Sequence, residues 1–204
     1  MADWTASSGS KIRPYRSLAS PFIREYEEST CAATAVIVRG DVVTSDTVVT
    51  SGGLRLVRAP SSGGTTSAGD PISQLVQVGI KSLMGVALQN STSDGSTTGL
   101  NSTGIGRSRL RYLSVCLATP GQEFLGYVKG ADVASQQLVG LNRPLIFDST
   151  LHTFFVASTN STAALAAVQI TEVPDYAVGD SGAFPVVFRF LSTNVSPAAG
   201  GITQ

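Results

Sequence analysis

The sequence predicts a mainly β fold: a small barrel or sandwich of about eight to ten short strands with one or two short helices, preceded by an extended N-terminal arm. Three observations predict it. β-Branched and aromatic runs recur along the chain, cut at short intervals by Gly-Asp, Gly-Gly and Ser/Thr clusters. Charged residues make up 14% against 42% hydrophobic, so Ser, Thr, Asn and Gly carry most of the polarity. Strand and loop follow one another without the alternating helices of a parallel sheet, and no repeat of fixed period appears.

Residues 1–30 read as the arm, 31–195 as one β-domain and 196–204 as a tail without a core-forming pattern. In the arm, "KIRPYRSLASPFIREY" mixes Arg13, Arg16 and Arg24 with Tyr15, Phe22 and Tyr26. Pro14 and Pro21 break any helix and bias the residue before each toward extended backbone. Neither a helical stripe nor strict alternation is present. Such a segment cannot bury its aromatics against itself, so it must lie on the domain or on a partner.

The domain begins with "VRGDVV", a strand, a tight turn at Gly40-Asp41 and a return strand. The composition of 61–70 and 91–106 predicts polar loops. Between them, part of "PISQLVQVGIKSLMGVALQN" is compatible with a helix. "RSRLRYLSVCLATPG" is a strand: Leu113, Val115 and Leu117 share one face with Arg107, Arg109 and Arg111, and Ser114 and Cys116 share the other. "EFLGYVKG" is the next strand. "ADVASQQLVGLN" fits one short helix ending near Gly140. "RPLIFDST" and "HTFFVAST" read as a strand pair about a turn, "TAALAAVQITEVPD" ends in a strand, and "FPVVFRFLST" is the last.

The bulk numbers exclude function classes. Basic and acidic residues balance at 14 each. A dedicated nucleic-acid binder needs a basic surplus to displace counterions, so no nucleic-acid partner is expected. Nor is electrostatic attachment to a membrane. No stretch approaches a membrane-spanning length of apolar residues, and the start lacks the apolar core of a secretory signal. Synthesis in the cytoplasm is therefore expected, and the Asn-X-Ser/Thr sequons at Asn90, Asn101, Asn160 and Asn194 read as products of a Ser/Thr-rich composition. Cys31 and Cys116 are expected to be free thiols, Cys116 as a small buried hydrophobe.

The chemistry-bearing candidates are few. "AVGDSGAFPVV" contains Gly-Asp-Ser-Gly, the surroundings of the nucleophile in trypsin-like proteases. A nucleophilic Ser181 needs an imidazole and an orienting carboxylate. The one histidine, His152, follows neither the order nor the context of that family. The tetrapeptide reads better as a turn, with Gly179 and Gly182 supplying permissive dihedrals. A metal site needs three or four ligands, and His152 has no second histidine to join it. Carboxylate pairs suited to glycoside hydrolysis are thin: Glu172 with Asp175, and Asp41 with Asp46. "GIGRSR" precedes a strand instead of joining strand to helix, unlike a phosphate loop. No catalytic, cofactor-binding or metal residue is assigned, and the chain is not expected to be an enzyme.

The phrases "RPYRSLASPFIREY", "RGDVVTSDTVV", "LMGVALQN", "SVCLATPGQEFLGYVKGADVASQQLVGLN" and "VQITEVPDYAVGDSGAFPVVFRFL" give a layout that resembles tailed-bacteriophage proteins that decorate or cement the head shell. The resemblance covers most of 11–191; the enlarged Ser/Gly loops depart from it. It implies a compact β-barrel, a homotrimer, bound to the major capsid protein on the outer surface of the virion across capsomer boundaries. On that reading Arg13, Tyr15, Arg16, Phe22, Arg24 and Tyr26 contact the capsid, the aromatics as anchors and the arginines paired to acidic shell residues. Deleting 1–26 is then expected to leave the barrel folded and abolish shell binding. Two other classes stay open: a receptor- or glycan-binding β-module using the Ser/Thr/Gly loops, and a hydrolase using Ser181 with His152.

Overall fold

The computed structural model describes residues 3–4, 9–18, 21–28, 37–45, 55–58, 70–71, 83–90, 112–130, 132–148, 150–158 and 166–192. Within these the chain is mainly β. The strands are β1 (Asp3–Trp4), β2 (Arg13–Ser17), β3 (Ile23–Glu28), β4 (Val42–Ser45), β5 (Arg55–Arg58), β6 (Asp70–Pro71), β7 (Leu83–Ala87) and β8 (Tyr112–Leu117). They continue with β9 (Gln122–Lys129), β10 (Asn142–Arg143), β11 (Leu145–Asp148), β12 (Thr153–Ala157), β13 (Val168–Glu172), β14 (Ser181–Gly182) and β15 (Pro185–Phe190). Single 3-10 turns lie at Gln136–Leu138 and Asp175–Ala177.

Two sheets carry the fold. The first runs β10-β13-β15-β9-β12-β11-β6, with β2 also pairing with β9. β9 is its centre. One edge meets β15, and the other is shared by β2 at its start and β12 at its end. The second sheet runs β3-β5-β4-β7-β8, and its pairings return from β8 to β3. The β3–β5 seam is parallel and only two residue pairs long, Glu27 with Arg55 and Glu28 with Leu56. That seam is too short to give a barrel a continuous wall, so the sheet is best described as curled on itself. A separate two-residue parallel contact joins β1 to β14.

The core follows from the alternation along the central strands. Phe124, Val128, Phe154, Val186, Phe188 and Phe190 point into the main cluster. Phe124 packs edge-on against Phe190 with ring centres 5.2 Å apart, and Phe188 meets Phe190 likewise at 5.5 Å. β8 is buried on both faces. Its Val115 and Leu117 join Ile37, Val43, Met84 and Ala87 in a second cluster, while Cys116 turns to the main one. Desolvation pushes the Cys116 thiol up to about 11. It is free and behaves as the small hydrophobe its strand predicts. β7 and β8 come so close that a Cβ built on Gly85 would lie 2.0 Å from the Cys116 carbonyl oxygen.

Several expectations are met: the strands at β8, β9, β13 and β15, and the β11–β12 pair, which is antiparallel with Ile146 opposite Phe155. Its turn is organised by Asp148. The Oδ1 atom accepts from the Thr150 and Leu151 N–H groups at 2.9 Å, and Oδ2 accepts from Lys129.

Two local expectations are corrected, and a third is tested only in part. The turn at Gly40-Asp41 exists, with the Asp41 N–H donating to the Val38 carbonyl, but among the described residues β4 ladders with β5 and β7 and not with 37–39 before it. Gly40 instead donates to the Ala87 carbonyl, so the turn serves a longer-range pairing. Residues 83–87 are strand β7, not helix; 72–82 lie outside the described residues. In "ADVASQQLVGLN" the helix shrinks to one 3-10 turn, ended by Gly140 at φ 86°. Residues 61–69 and 91–106 of the two predicted loops, the row Arg107, Arg109 and Arg111, Cys31 and the 196–204 tail also lie outside the described residues, while Asp70 opens β6.

The largest difference concerns the N-terminal segment. Its described parts are extended but belong to the body. β2 pairs antiparallel with β9 from Arg13–Leu125 to Ser17–Gln122, and β3 pairs antiparallel with β8 from Ile23–Cys116 to Glu27–Tyr112. One segment thus supplies a strand to each sheet. Ile12, 2% exposed, anchors it in the main core. Two glycines make the space: a Cβ on Gly40 would meet Lys11 Cβ at 2.7 Å, and one on Gly126 would meet Ile12 Cγ1 at 3.4 Å. Pro14 is tolerated because, among the described residues, β2 pairs with β9 alone and its register shifts between Pro14 and Arg16. Removing 1–26 would therefore strip paired strands from both sheets, and the expectation that the rest stays folded without them no longer holds.

Candidate functional site

Of the six residues singled out in the N-terminal segment, five have described side chains; that of Tyr26 lies outside them. Tyr15 is 49% exposed and Phe22 43%, and Arg13, Arg16 and Arg24 are all exposed. The strands fix the backbone while the bulge at Tyr15 and the strand entry at Phe22 turn these side chains outward. Each exposed ring carries an arginine: the Arg16 guanidinium carbon lies 5.5 Å from the Tyr15 ring centre, and that of Arg24 lies 5.0 Å from Phe22. Such stacking holds a long side chain over an aromatic face.

The arginines differ. Arg16 is engaged within the chain, with Nε on Glu123 Oε2 and NH1 on Glu172 Oε2 at 2.8 Å. The hydrogen bond it donates to Glu123, opposed by desolvation and joined by the charges of Glu123 and Glu172, raises its guanidinium above an already high value. Its expected role as a partner for acidic groups elsewhere is filled by its own glutamates.

Two neighbours were not legible as part of this surface. Ile23 is 55% exposed beside Phe22. Tyr176 is 69% exposed, yet its phenol sits above its ordinary range. Desolvation is the largest cause, ahead of Tyr127 and Tyr15; Arg13 pulls the other way and Glu172 adds to the rise. For so open a ring the desolvation is modest, and the charges of Tyr127, Tyr15, Arg13 and Glu172 also act on it. Nothing in "VPDYAVG" relates Tyr176 to Tyr15, because the 3-10 turn at Asp175–Ala177 and β2 are far apart along the chain.

The protease candidates have separate partners. Ser181 is exposed in β14 and pairs with Asp3 of β1. Gly179 and Gly182 adopt φ of 90° and 79°, the dihedrals that the turn reading requires. His152 lies in the β11–β12 turn with its Nε2 atom 3.3 Å from Asp41 Oδ2 and its ring edge-on to Phe147 at 5.2 Å. Its backbone sits at φ 48°, unusual for a residue with a Cβ. Its carbonyl accepts from Lys11 Nζ at 3.3 Å. Asp41 is 1% exposed and also accepts from the Val38 N–H at 3.0 Å. His152, Asp41 and Lys11 therefore join the N-terminal segment and both sheets, a structural junction. Glu172 is taken by Arg16, and Asp175 accepts from Gln136. Among the described residues no group of three or more His, Cys, Asp or Glu could hold a metal.

No family model, curated protein or solved structure matches the chain.

Proposed function

We propose that the chain is a structural virion protein that binds the outer surface of a tailed-phage capsid and joins neighbouring capsomers, stabilising the mature head. The observation that carries this reading is the exposed set Arg13, Tyr15, Phe22, Ile23 and Arg24, presented on strands locked into the two sheets. Aromatic and arginine side chains are the residue types that dominate protein interfaces. A rigid backbone behind them lowers the entropy cost of docking. The phrase-level resemblance of the sequence to head-decorating proteins supplies the identity of the partner, the major capsid protein.

The mechanism is linkage. A site composed of adjoining subunits exists only in the assembled shell, so binding it stabilises the shell by mass action. If the composite site forms on head maturation, binding favours the mature state. An interface of ordinary size buries roughly 1,600 Å² in total. In a trimer, once one copy docks the others do so at high effective concentration, and weak contacts combine into a lasting clamp. In this reading no bond is made or broken.

The test uses point changes, because deleting the segment would dismantle both sheets. Tyr15→Ser with Phe22→Ser is compared with the wild type by co-sedimentation with phage heads prepared without this chain. Two anchors worth about 2 kcal/mol each predict about a 1,000-fold loss of affinity. Binding equal to wild type, with both proteins folded, would remove the reading.

A further inference from the structure

β2 lies in the first sheet and β3 in the second, so residues 18–22 cross between them. β8 and β9 make the same passage in the opposite direction through 118–121. Because β2 pairs antiparallel with β9 and β3 with β8, the two crossings lie side by side. Hydrogen bonds tie them at both ends. The Leu18 N–H donates to the Gly121 carbonyl at 3.3 Å, and the Leu117 N–H donates to the Phe22 carbonyl at 2.9 Å. The 118–121 crossing is itself held. Its turn is closed by the Gln122 N–H on the Thr119 carbonyl, and the Ala118 N–H donates to the Met84 carbonyl of β7, each at 3.0 Å. The buried Gln122 side chain adds a further tie, with Nε2 donating to the Arg16 carbonyl at 3.1 Å.

The paired crossings form a ridge with a fastened backbone and an apolar outer side. Leu18 is 93% exposed, the highest of any large hydrophobic residue among those described. Phe22 and Ile23 follow it, and Pro21 and Pro120 are exposed as well, each fixing its own φ. Gly121 places the leucine. It sits at φ 83°, and a Cβ there would lie 2.9 Å from Leu18 Cδ1, so the Leu18 side chain rests against glycine backbone. Residues 17–23, "SLASPFI", contain no charged residue; of these, 19–20 lie outside the described residues.

We propose that this ridge inserts into an apolar recess on the capsid partner, with Leu18 as its leading side chain. The inference rests on the shell-binding reading and names the chemistry that the partner presents at this place. One exposed leucine is ordinary, but neighbouring apolar side chains on one fastened crossing make a patch, and patches mark contacts. The patch is continuous with the surface proposed above, since Phe22 and Ile23 belong to both. Arg16, two residues before Leu18, is already paired with Glu123 and Glu172, so what this end offers a partner is hydrocarbon. A fastened ridge loses little freedom on entering a preformed recess. A bilayer is the poorer fit. The side chains of Leu18, Phe22 and Ile23 together carry about as much carbon as one fatty-acyl chain, which by itself gives only marginal, reversible membrane binding.

The test compares Leu18→Ser with wild type in two assays: co-sedimentation with phage heads prepared without this chain, and flotation with vesicles of phosphatidylcholine and phosphatidylglycerol. At 93% exposure the change leaves the fold alone, and thermal melts should coincide. Affinity for heads should fall about 10- to 30-fold, the value of one buried leucine side chain, and neither protein should float. If Leu18→Ser binds heads like wild type while Tyr15→Ser with Phe22→Ser does not, this inference is overturned and the surface reading stands. A wild type that does not bind heads removes both. Flotation of wild type that is lost in Leu18→Ser assigns the ridge to a bilayer and also overturns the inference.

Discussion

Ile12→Ala decides whether the N-terminal segment is an appendage or part of the body. Ile12 is 2% exposed and belongs to the same cluster as Phe124 and Phe188. The change removes three carbons. At about 0.8 kcal/mol for each buried methylene-sized group, the transfer loss is about 2.4 kcal/mol. A cavity contribution follows, because Ile12 is buried within the main core cluster and its neighbours relax only partially around a missing side chain. The total should fall at about 3–4 kcal/mol, within the range for large-to-small core changes. In a chain of this size that lowers the thermal midpoint by roughly 6–16 °C. The assay is urea and thermal unfolding followed by circular dichroism, with Tyr15→Ala as the exposed comparison, expected within about 0.5 kcal/mol of wild type. A loss below about 1 kcal/mol for Ile12→Ala would show that the segment packs loosely on a domain stable without it, and the reasoning would fail.

Two further predictions concern the body of the fold. The Asp148 carboxyl lies below the usual carboxylate range: burial opposes its charge, but the Lys129 hydrogen bond, the Leu151 N–H, the Lys129 charge and the Thr150 N–H outweigh it. A carboxyl depressed by folding contributes stability that is fully present above its unfolded value of about 4 and lost as pH falls through the folded value. Asp148→Asn should therefore cost about 1.5–3 kcal/mol at pH 7, a gap that narrows on acidification below about pH 4. Urea midpoints at pH 7 and pH 3 measure it, and an equal gap at both would contradict the assignment. The glycines give a ranking. Gly85→Ala drives a methyl into the Cys116 carbonyl, whereas Gly140→Ala meets nothing within 4 Å and bears only the cost of φ 86°. The first should prevent folding or cost well over 3 kcal/mol, and the second about 1–2 kcal/mol. Thermal melts in the reverse order would show that the close β7–β8 approach is not what fixes Gly85.

How much of this was legible depended on whether a residue's neighbours are local. β15 and β12 announce themselves through runs of Val and Phe bounded by glycine, proline or a turn, and both are buried except for Arg189 of β15. β8 was legible face by face, since alternation alone separates Val115 and Leu117 from Cys116. The N-terminal segment was read as extended, correctly, but extension does not say what it pairs with. Its partners β8 and β9 lie far along the chain, and the glycines that admit Ile12 come from two other elements. Gly40 illustrates the same limit. Its turn was visible, yet its N–H goes to Ala87 and not across a hairpin. On the candidate surface, Tyr15 and Phe22 could be named from the sequence because aromatics in a proline-broken basic segment have no local burial. Tyr176 could not, because it lies in a turn far along the chain from Tyr15.

The central claim is that side chains carried outward on β2 and β3 meet a capsid surface. Hydroxyl-radical footprinting of the chain, free and bound to heads, reads that directly. In the free protein Tyr15 and Phe22 should be oxidised readily while Phe124 and Phe188, both 0% exposed, are spared. On heads Tyr15 and Phe22 should become protected. Equal oxidation of both residues on heads that demonstrably carry the chain would contradict the account.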